Sequence, residues 1–365
     1  MKTGRSIAEE KNGQFIGEED SKRITSLRFL LMVLVIFIHN NGNEIANTVT
    51  TEAVKLFFSE IIARVAVPLF FFLSGYLLFC KPRQYKKVLQ TKIRTLLIPY
   101  LIWNSLVIAM FWIGQNAPFL SRFFSDENNR IANYSLFQWL DAFLGLNYQG
   151  YPAAYQLWFL RDLMILILLY PLGKKLVDLC PVFTLVLLFL VWGMQWRIVF
   201  FSSEAALFFM LGYYAVKYQV QISSFDTLRF KESLLIYGFI VILECILVLQ
   251  EKDFLVLHKC GILVGCILWL QISGWLAAQE RRYQMLQTLS VYSFFVYASH
   301  EPLLTLLRKV WSRVLPLEGT AMQLLQYFGL IFLVLFITVV IGVCIRKLSP
   351  KIYGLITGGR VKVIV

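Results

Sequence analysis

Residues 24–39 read Ile24-Thr-Ser-Leu-Arg28-Phe-Leu-Leu-Met-Val-Leu-Val-Ile-Phe-Ile-His39. The stretch is apolar enough to lie in hydrocarbon, yet it carries an arginine near one end and a histidine at the other. Arg28 and His39 are eleven positions apart. At ~100° per residue the turn between them is ~1,100°, about 20° beyond three full turns, so a helix presents both on one face. They stand ~16 Å apart along the axis, about half of a ~30 Å hydrocarbon core. Taken alone, the pair has a plain reading as a snorkelling arginine and an interfacial histidine. The rest of the chain argues for more.

Hydrophobic residues make up 58% of the 365 positions and charged residues only 16%. A soluble chain carries about 25% charged residues. Stretches that approach the ~20 apolar residues needed to cross a bilayer fall near 25–42, 54–80, 94–114, 156–173, 180–196, 200–217, 232–250, 258–278, 289–311 and 322–346. The expected fold is all-α, a polytopic integral membrane bundle of about ten transmembrane helices. One membrane domain over 24–348 is expected. A polar tail at 1–23 is read as disordered, and a short tail follows at 349–365.

Lys and Arg cluster around the first span (Lys22, Arg23, Arg28), between the second and third (Lys81, Arg83, Lys86, Lys87, Lys92, Arg94) and at Lys174 and Lys175. They recur at Lys217, Arg229 and Lys231, at Arg281 and Arg282, and after the tenth span. Ten spans place all of these on one side, which the positive-inside rule makes the cytoplasm, with both termini inside. Arg308, Lys309 and Arg313 are the exception and face outward. The net charge of +13 is then topology and anchoring against lipid headgroups, and no nucleic-acid partner is expected. The six cysteines show no metal spacing, so no metal is expected.

Ionisable residues recur within the spans. The second span carries Glu60 and Arg64 one helical turn apart, then Pro68 and Ser74-Gly75-Tyr76. Pro68 should kink the helix, and Ser74-Gly75 should admit another backbone or a narrow ligand. The fourth span opens with Trp158-Phe-Leu-Arg161-Asp162, and the ninth contains Ser290-Val-Tyr-Ser-Phe-Phe-Val-Tyr297-Ala-Ser-His300-Glu301-Pro302. Topology puts His39, Glu60, Arg64, Arg161, Asp162, His300 and Glu301 in the middle to outer half of the bilayer. Charges at one depth on four helices predict a shared polar cavity. The inner rim instead offers cations alone, which suits an anionic ligand. His258, beside Glu251 and Asp253, reads as a solvated histidine of an outer loop.

These residues resemble the membrane-bound acyltransferase 3 (acyl_transf_3) family, bacterial enzymes that O-acylate cell-envelope glycans, lipopolysaccharide or small molecules. Arg28 and His39 resemble its Arg–ten residues–His signature, and Arg64 through Tyr76 resembles its second-span signature. Lys92-Ile-Arg94-Thr-Leu-Leu-Ile-Pro99-Tyr100-Leu-Ile-Trp103 is similar to its basic third-span entrance, with Lys-x-Arg where some members have Arg-x-x-Arg. Trp158 through Leu163, Leu211-Gly-Tyr213 and Ser290 through Pro302 complete the set.

The resemblance implies an acyl-CoA donor, most often acetyl-CoA, arriving from the cytoplasm of a bacterial plasma membrane. Arg28, Lys92 and Arg94 are then expected to meet its phosphates. Ser74, Gly75 and Tyr76 would border the pantetheine arm, which runs along the first span towards His39. His39 is the expected catalytic residue, either as a general base towards a sugar hydroxyl or as a transient acyl carrier. Arg64 and Arg161 are expected to orient the acceptor or the developing oxyanion. Glu60, Asp162, Tyr297, His300 and Glu301 are expected on the acceptor side, the carboxylates in part only neutralising their neighbours. The expected acceptor is an extracytoplasmic or lipid-linked glycan, to which the aromatic outer loop 115–155 can contribute. The competing reading, a transporter or flippase of polysaccharide or small molecules, also needs buried charge. The one-sided cation rim and the lack of repeat symmetry argue against it.

Overall fold

A computed structural model describes residues 16–42, 47–81, 83–118, 121, 130–146, 150–198, 201–250, 252, 255–315 and 318–360. The chain runs through α1 (Glu18–His39), α2 (Val49–Phe79), α3 (Tyr85–Asn116), α4 (Leu136–Leu144), α5 (Tyr155–Leu179) and α6 (Pro181–Gly193). It continues through α7 (Ser203–Lys217), α8 (Phe230–Leu249), α9 (Leu255–Ala278), α10 (Glu280–Ser290), α11 (Ser293–Val314), α12 (Gly319–Leu348) and α13 (Pro350–Thr357). A two-residue ribbon, β1 (Arg197–Ile198) against β2 (Phe201–Ser202), precedes α7. Among the described residues five helices are long and apolar enough to cross a membrane: α2, α3, α5, α9 and α12. The other expected spans are also helical, as α1, α6, α7, α8 and α11, but are shorter, more polar or more charged. The chain is therefore an all-α membrane protein.

Three prolines shape the bundle by withholding a backbone donor. Ahead of Pro68, α2 loosens into a π turn at Leu56–Ile61 and tightens into a 3-10 turn at Ile62–Val65. Ahead of Pro99, α3 takes a π turn at Ile93–Leu97. Pro302 sits inside α11. Glycine sets the closest contact, where α2 meets α7. A Cβ at Gly75 would lie 2.1 Å from the Phe209 carbonyl oxygen, and one at Gly212 would lie 2.4 Å from the Tyr76 nitrogen. One core runs on through α1, α2, α3, α5, α7, α9, α11 and α12.

The start of the first helix differs from the sequence reading. The first helix starts at Glu18 rather than Ile24. Asp20 is buried there, accepting from the Tyr76 hydroxyl at 3.1 Å and from the Ile222 and Ser223 amides at 3.0 Å. Arg23 is buried too and pairs with Glu19 and Asp226. Hydrogen bonds from a partner loop, invisible to composition, order these charges; residues 1–15 lie outside the described residues. At the other end, Pro350 starts and left-handed Gly358 ends α13, which packs on the bundle through fully buried Tyr353 and Thr357. His258 is likewise no loop residue. It stands in α9 with Nδ1 3.3 Å from the Glu244 carboxylate, which is 1% exposed. Between α3 and α5, α4 is capped by Ser135 and exposes Leu136, Phe137 and Leu140, the pattern of a helix lying at a membrane interface.

Candidate active site

His39 ends α1, and four helices converge on that end. Ser59 of α2 donates to the Phe37 carbonyl at 2.5 Å and meets the Tyr327 hydroxyl of α12 at 2.7 Å. Asn40 is buried and donates to the Tyr327 carbonyl at 2.8 Å. From α11, Arg308 Nη2 donates to the His39 carbonyl at 3.1 Å, satisfying a helix-terminal acceptor with a cation. The imidazole takes part in none of these bonds, so its position is set by backbone and neighbours.

The imidazole is oriented by a second construction. Pro302 has no N–H to give the carbonyl four residues back, Ala298. Gln156 Nε2 takes that oxygen at 3.1 Å, and the Tyr297 hydroxyl donates to the Gln156 carbonyl at 2.8 Å. This reciprocal clamp fixes the start of α5 against α11 and places Tyr155 between His39 and Glu301. The Tyr155 hydroxyl donates to Glu301 Oε1, and Thr305 Oγ1 donates to Glu301 Oε2 at 2.8 Å. With its proton committed, the Tyr155 oxygen is an acceptor for His39 Nδ1, 3.1 Å away. The network therefore assigns the neutral tautomer with Nδ1–H and leaves the Nε2 lone pair for a substrate hydroxyl. A carboxylate, a relay hydroxyl and an imidazole in line follow the logic of a catalytic triad.

This arrangement predicts the effect of one oxygen atom. Tyr155→Phe keeps the ring and removes the acceptor, so kcat should fall by roughly 10–100-fold, the loss of one hydrogen bond to a charge-bearing chain. KM should hardly move. Steady-state transfer assays of the variant check this, and an unaltered kcat would remove Tyr155 from the chain.

His300 is fully buried with its ring 5.1 Å from that of His39. Its Nδ1–H donates to the Tyr297 carbonyl at 2.7 Å, while Nε2 has no partner among the described residues. Arg64 pairs with Glu60, whose other oxygen accepts from Asn41 at 2.8 Å. Arg64 and Arg308 both lie close enough to His39 to act on it electrostatically. The contacts thus link His39 to Glu301 through Tyr155 and to His300 ring against ring, and pair Glu60 with Arg64 and Asn41 beside them.

Arg161 and Asp162 are not part of it. Arg161 donates to Asp162 and to the carbonyls of Leu144, Gly145 and Gly150, at 2.7–3.2 Å. Asp162 accepts from the Ser202 amide at 2.9 Å. The pair ties the loop before α5 and β2 to α5, and borders a cavity of about 880 Å³ between α3 and α5. That cavity is otherwise walled mainly by apolar side chains such as Leu97, Leu101, Ile165 and Leu168, and His39 does not line it.

Towards the other end of α1, Arg28 is half-buried, as is Lys92 of α3, and neither has a hydrogen-bond or ion-pair partner among the described residues. Arg94 lies exposed; the π turn at Ile93–Leu97 shifts the register between it and Lys92. Gly75 faces the Phe209 backbone and the Tyr76 hydroxyl is engaged by Asp20, so of that trio Ser74 alone is half-exposed. Sequence reasoning missed Tyr155, Gln156, Ser59, Tyr327 and Arg308. Arg308 had a signal, its departure from the one-sided pattern of Lys and Arg. Pro302 was another, marking a carbonyl in need of a donor.

A family model described as an acyltransferase domain, Acyl_transf_3, matches residues 21–345. The chain is 29% identical over 353 residues to the succinoglycan biosynthesis protein ExoH of Rhizobium meliloti (strain 1021), covering 93% of this chain and 92% of that protein. No solved structure matches it.

Proposed function

This chain belongs to the acyltransferase-domain family Acyl_transf_3, and on that premise we propose that it is a membrane-bound O-acyltransferase of cell-envelope polysaccharide. It moves an acyl group, most often acetyl, from cytoplasmic acyl-CoA to a hydroxyl of an extracytoplasmic or lipid-linked glycan. The observation that carries the reading is the Glu301–Tyr155–His39 chain, with His39 Nε2 left unengaged on the same helix as Arg28. The relative's name, succinoglycan biosynthesis, supports a polysaccharide acceptor.

In this mechanism the ten helical stretches span a bacterial plasma membrane with the basic side in the cytoplasm. The donor's phosphates meet Arg28 and Lys92, and the pantetheine arm follows α1 towards His39. His39 Nε2 takes the proton of the acceptor hydroxyl as its oxygen attacks the thioester carbonyl. Negative charge develops on that carbonyl oxygen, and Arg64 supplies the nearby cation. Collapse of the adduct expels the CoA thiolate, which takes the proton back from His39. Glu301, through Tyr155, holds the ring in place while it is charged.

Two measurements test this. Purified protein given radiolabelled acetyl-CoA and a succinoglycan-type oligosaccharide should label the glycan; a protein that moves the glycan without modifying it would contradict the reading. Arg28→Ala should weaken acetyl-CoA binding about tenfold, as loss of a charged hydrogen-bond donor. Isothermal titration gives that number, and equal affinity would remove Arg28 from the donor site.

A further inference from the structure

The amphipathic C-terminal segment is built into the inner mouth by a carbonyl that α3 cannot use. Pro99 leaves the Thr95 carbonyl without its helical donor. Arg360 Nη1 donates to that oxygen at 3.2 Å and also to the Thr357 carbonyl. Gly358 makes the approach possible: at φ +67°, a Cβ there would sit 2.3 Å from the same Thr95 oxygen. Trp103 Nε1 donates to the Ile356 carbonyl at 3.0 Å, and the Tyr353 hydroxyl to the Val291 carbonyl at 3.1 Å. The segment is thus held by three hydrogen bonds, two to α3 and one to Val291 just ahead of α11, and it delivers its guanidinium to a fixed place.

That place is cationic. The Arg360 guanidinium lies 4.2 Å over the Phe294 ring, with Nε and Nη2 making no hydrogen bond among the described residues. Arg28 is close enough to repel it, and Lys92 in turn feels Arg360. Burial together with Arg28 pushes the Arg360 guanidinium down to about 10. None of the three cations has a carboxylate partner among the described residues. Like charges gathered in a half-buried mouth are unfavourable unless an anion joins them. A guanidinium with two donors unspent and its face stacked on a ring is suited to phosphate.

We propose that Arg360, carried in by α13, completes with Arg28 and Lys92 a phosphate site that recognises the nucleotide half of the acyl-CoA donor. The proposal rests on the acyl-CoA reading above. It assigns donor recognition to a segment beyond residues 21–345, where the family match ends. The shared chemistry is a phosphate, which a lipid headgroup also carries, and the test separates the two.

Binding of acetyl-CoA, and of acetyl-pantetheine as the probe without phosphates, is measured in nanodiscs with and without phosphatidylglycerol. Arg360→Gln should weaken acetyl-CoA binding about tenfold and leave acetyl-pantetheine unchanged. Arg360→Lys, which keeps the charge but loses the planar fork, should bind acetyl-CoA between the Gln variant and wild type. Equal weakening of both probes by Arg360→Gln would assign Arg360 a structural role and overturn the proposal. So would a Gln variant altered only in its response to phosphatidylglycerol. Wild-type protein that binds no acetyl-CoA overturns the donor reading and this proposal together. Wild-type binding with no effect of Arg360→Gln overturns this proposal alone.

Discussion

His39→Ala is expected to lower kcat for acyl transfer by about 10³–10⁴-fold, while acetyl-CoA binds as before. The size follows from the role: the variant loses the group that takes the hydroxyl proton and gives it to the leaving thiolate. The helix end around it should survive, because Ser59, Asn40 and Arg308 hold backbone and one another, not the imidazole. His39→Gln refines the result, since an amide can still donate to Tyr155 but cannot carry a proton away. Both variants should therefore be equally slow if the residue is a base or an acyl carrier. Single-turnover assays, with donor affinity and thermal unfolding measured on the same preparations, give the comparison. Transfer at the wild-type rate in either variant would end the catalytic assignment.

The largest expected effect on stability is at the α2–α7 contact. A methyl group at Gly75 meets the Phe209 carbonyl at 2.1 Å, and one at Gly212 meets backbone atoms of Tyr76 and Phe72 at 2.4 and 2.5 Å. Backbone cannot rotate away as a side chain can, so only separation of the helices relieves the clash. Overpacking of this kind costs about 3 kcal/mol or more, and small residues at such crossings are what allow membrane helices to approach. Gly75→Ala should lower Tm by roughly 10 °C or prevent recovery of monodisperse protein. Gly238→Ala is the matched control, because nothing lies within 4 Å of a Cβ there. A Gly75→Ala protein melting with wild type would contradict the packing described.

Much of this was legible in the sequence because the physics involved is local. Apolar runs mark helices, and an eleven-residue spacing puts Arg28 and His39 on one face. Buried charge at a common depth predicted a shared chamber, and of those residues the structure connects His39 with His300 and Glu301, and Glu60 with Arg64. The errors arise where charge is neutralised by something distant in sequence. Arg161 looked like part of the chamber, but it is occupied by carbonyls of a loop 11 to 17 residues away. Asp20 and Arg23 looked like a solvated tail, but Ile222, Ser223 and Asp226 receive them. His258 looked solvated because Glu244, its buried neighbour, comes from a different helix. Tyr155 carried no signal of its own. Its place follows from Pro302, Ala298 and Gln156, three residues whose cooperation no single-residue pattern announces.

In the proposed mechanism the donor enters from the basic face and the acyl group leaves at His39. Sealed proteoliposomes of defined orientation test it most directly, with labelled acetyl-CoA confined to one side and a membrane-impermeant oligosaccharide acceptor to the other. Glycan labelling is expected when acetyl-CoA faces the Arg28–Lys92 side, and none when the two compartments are exchanged or His39 is alanine. Labelling only when donor and acceptor share a compartment would contradict it.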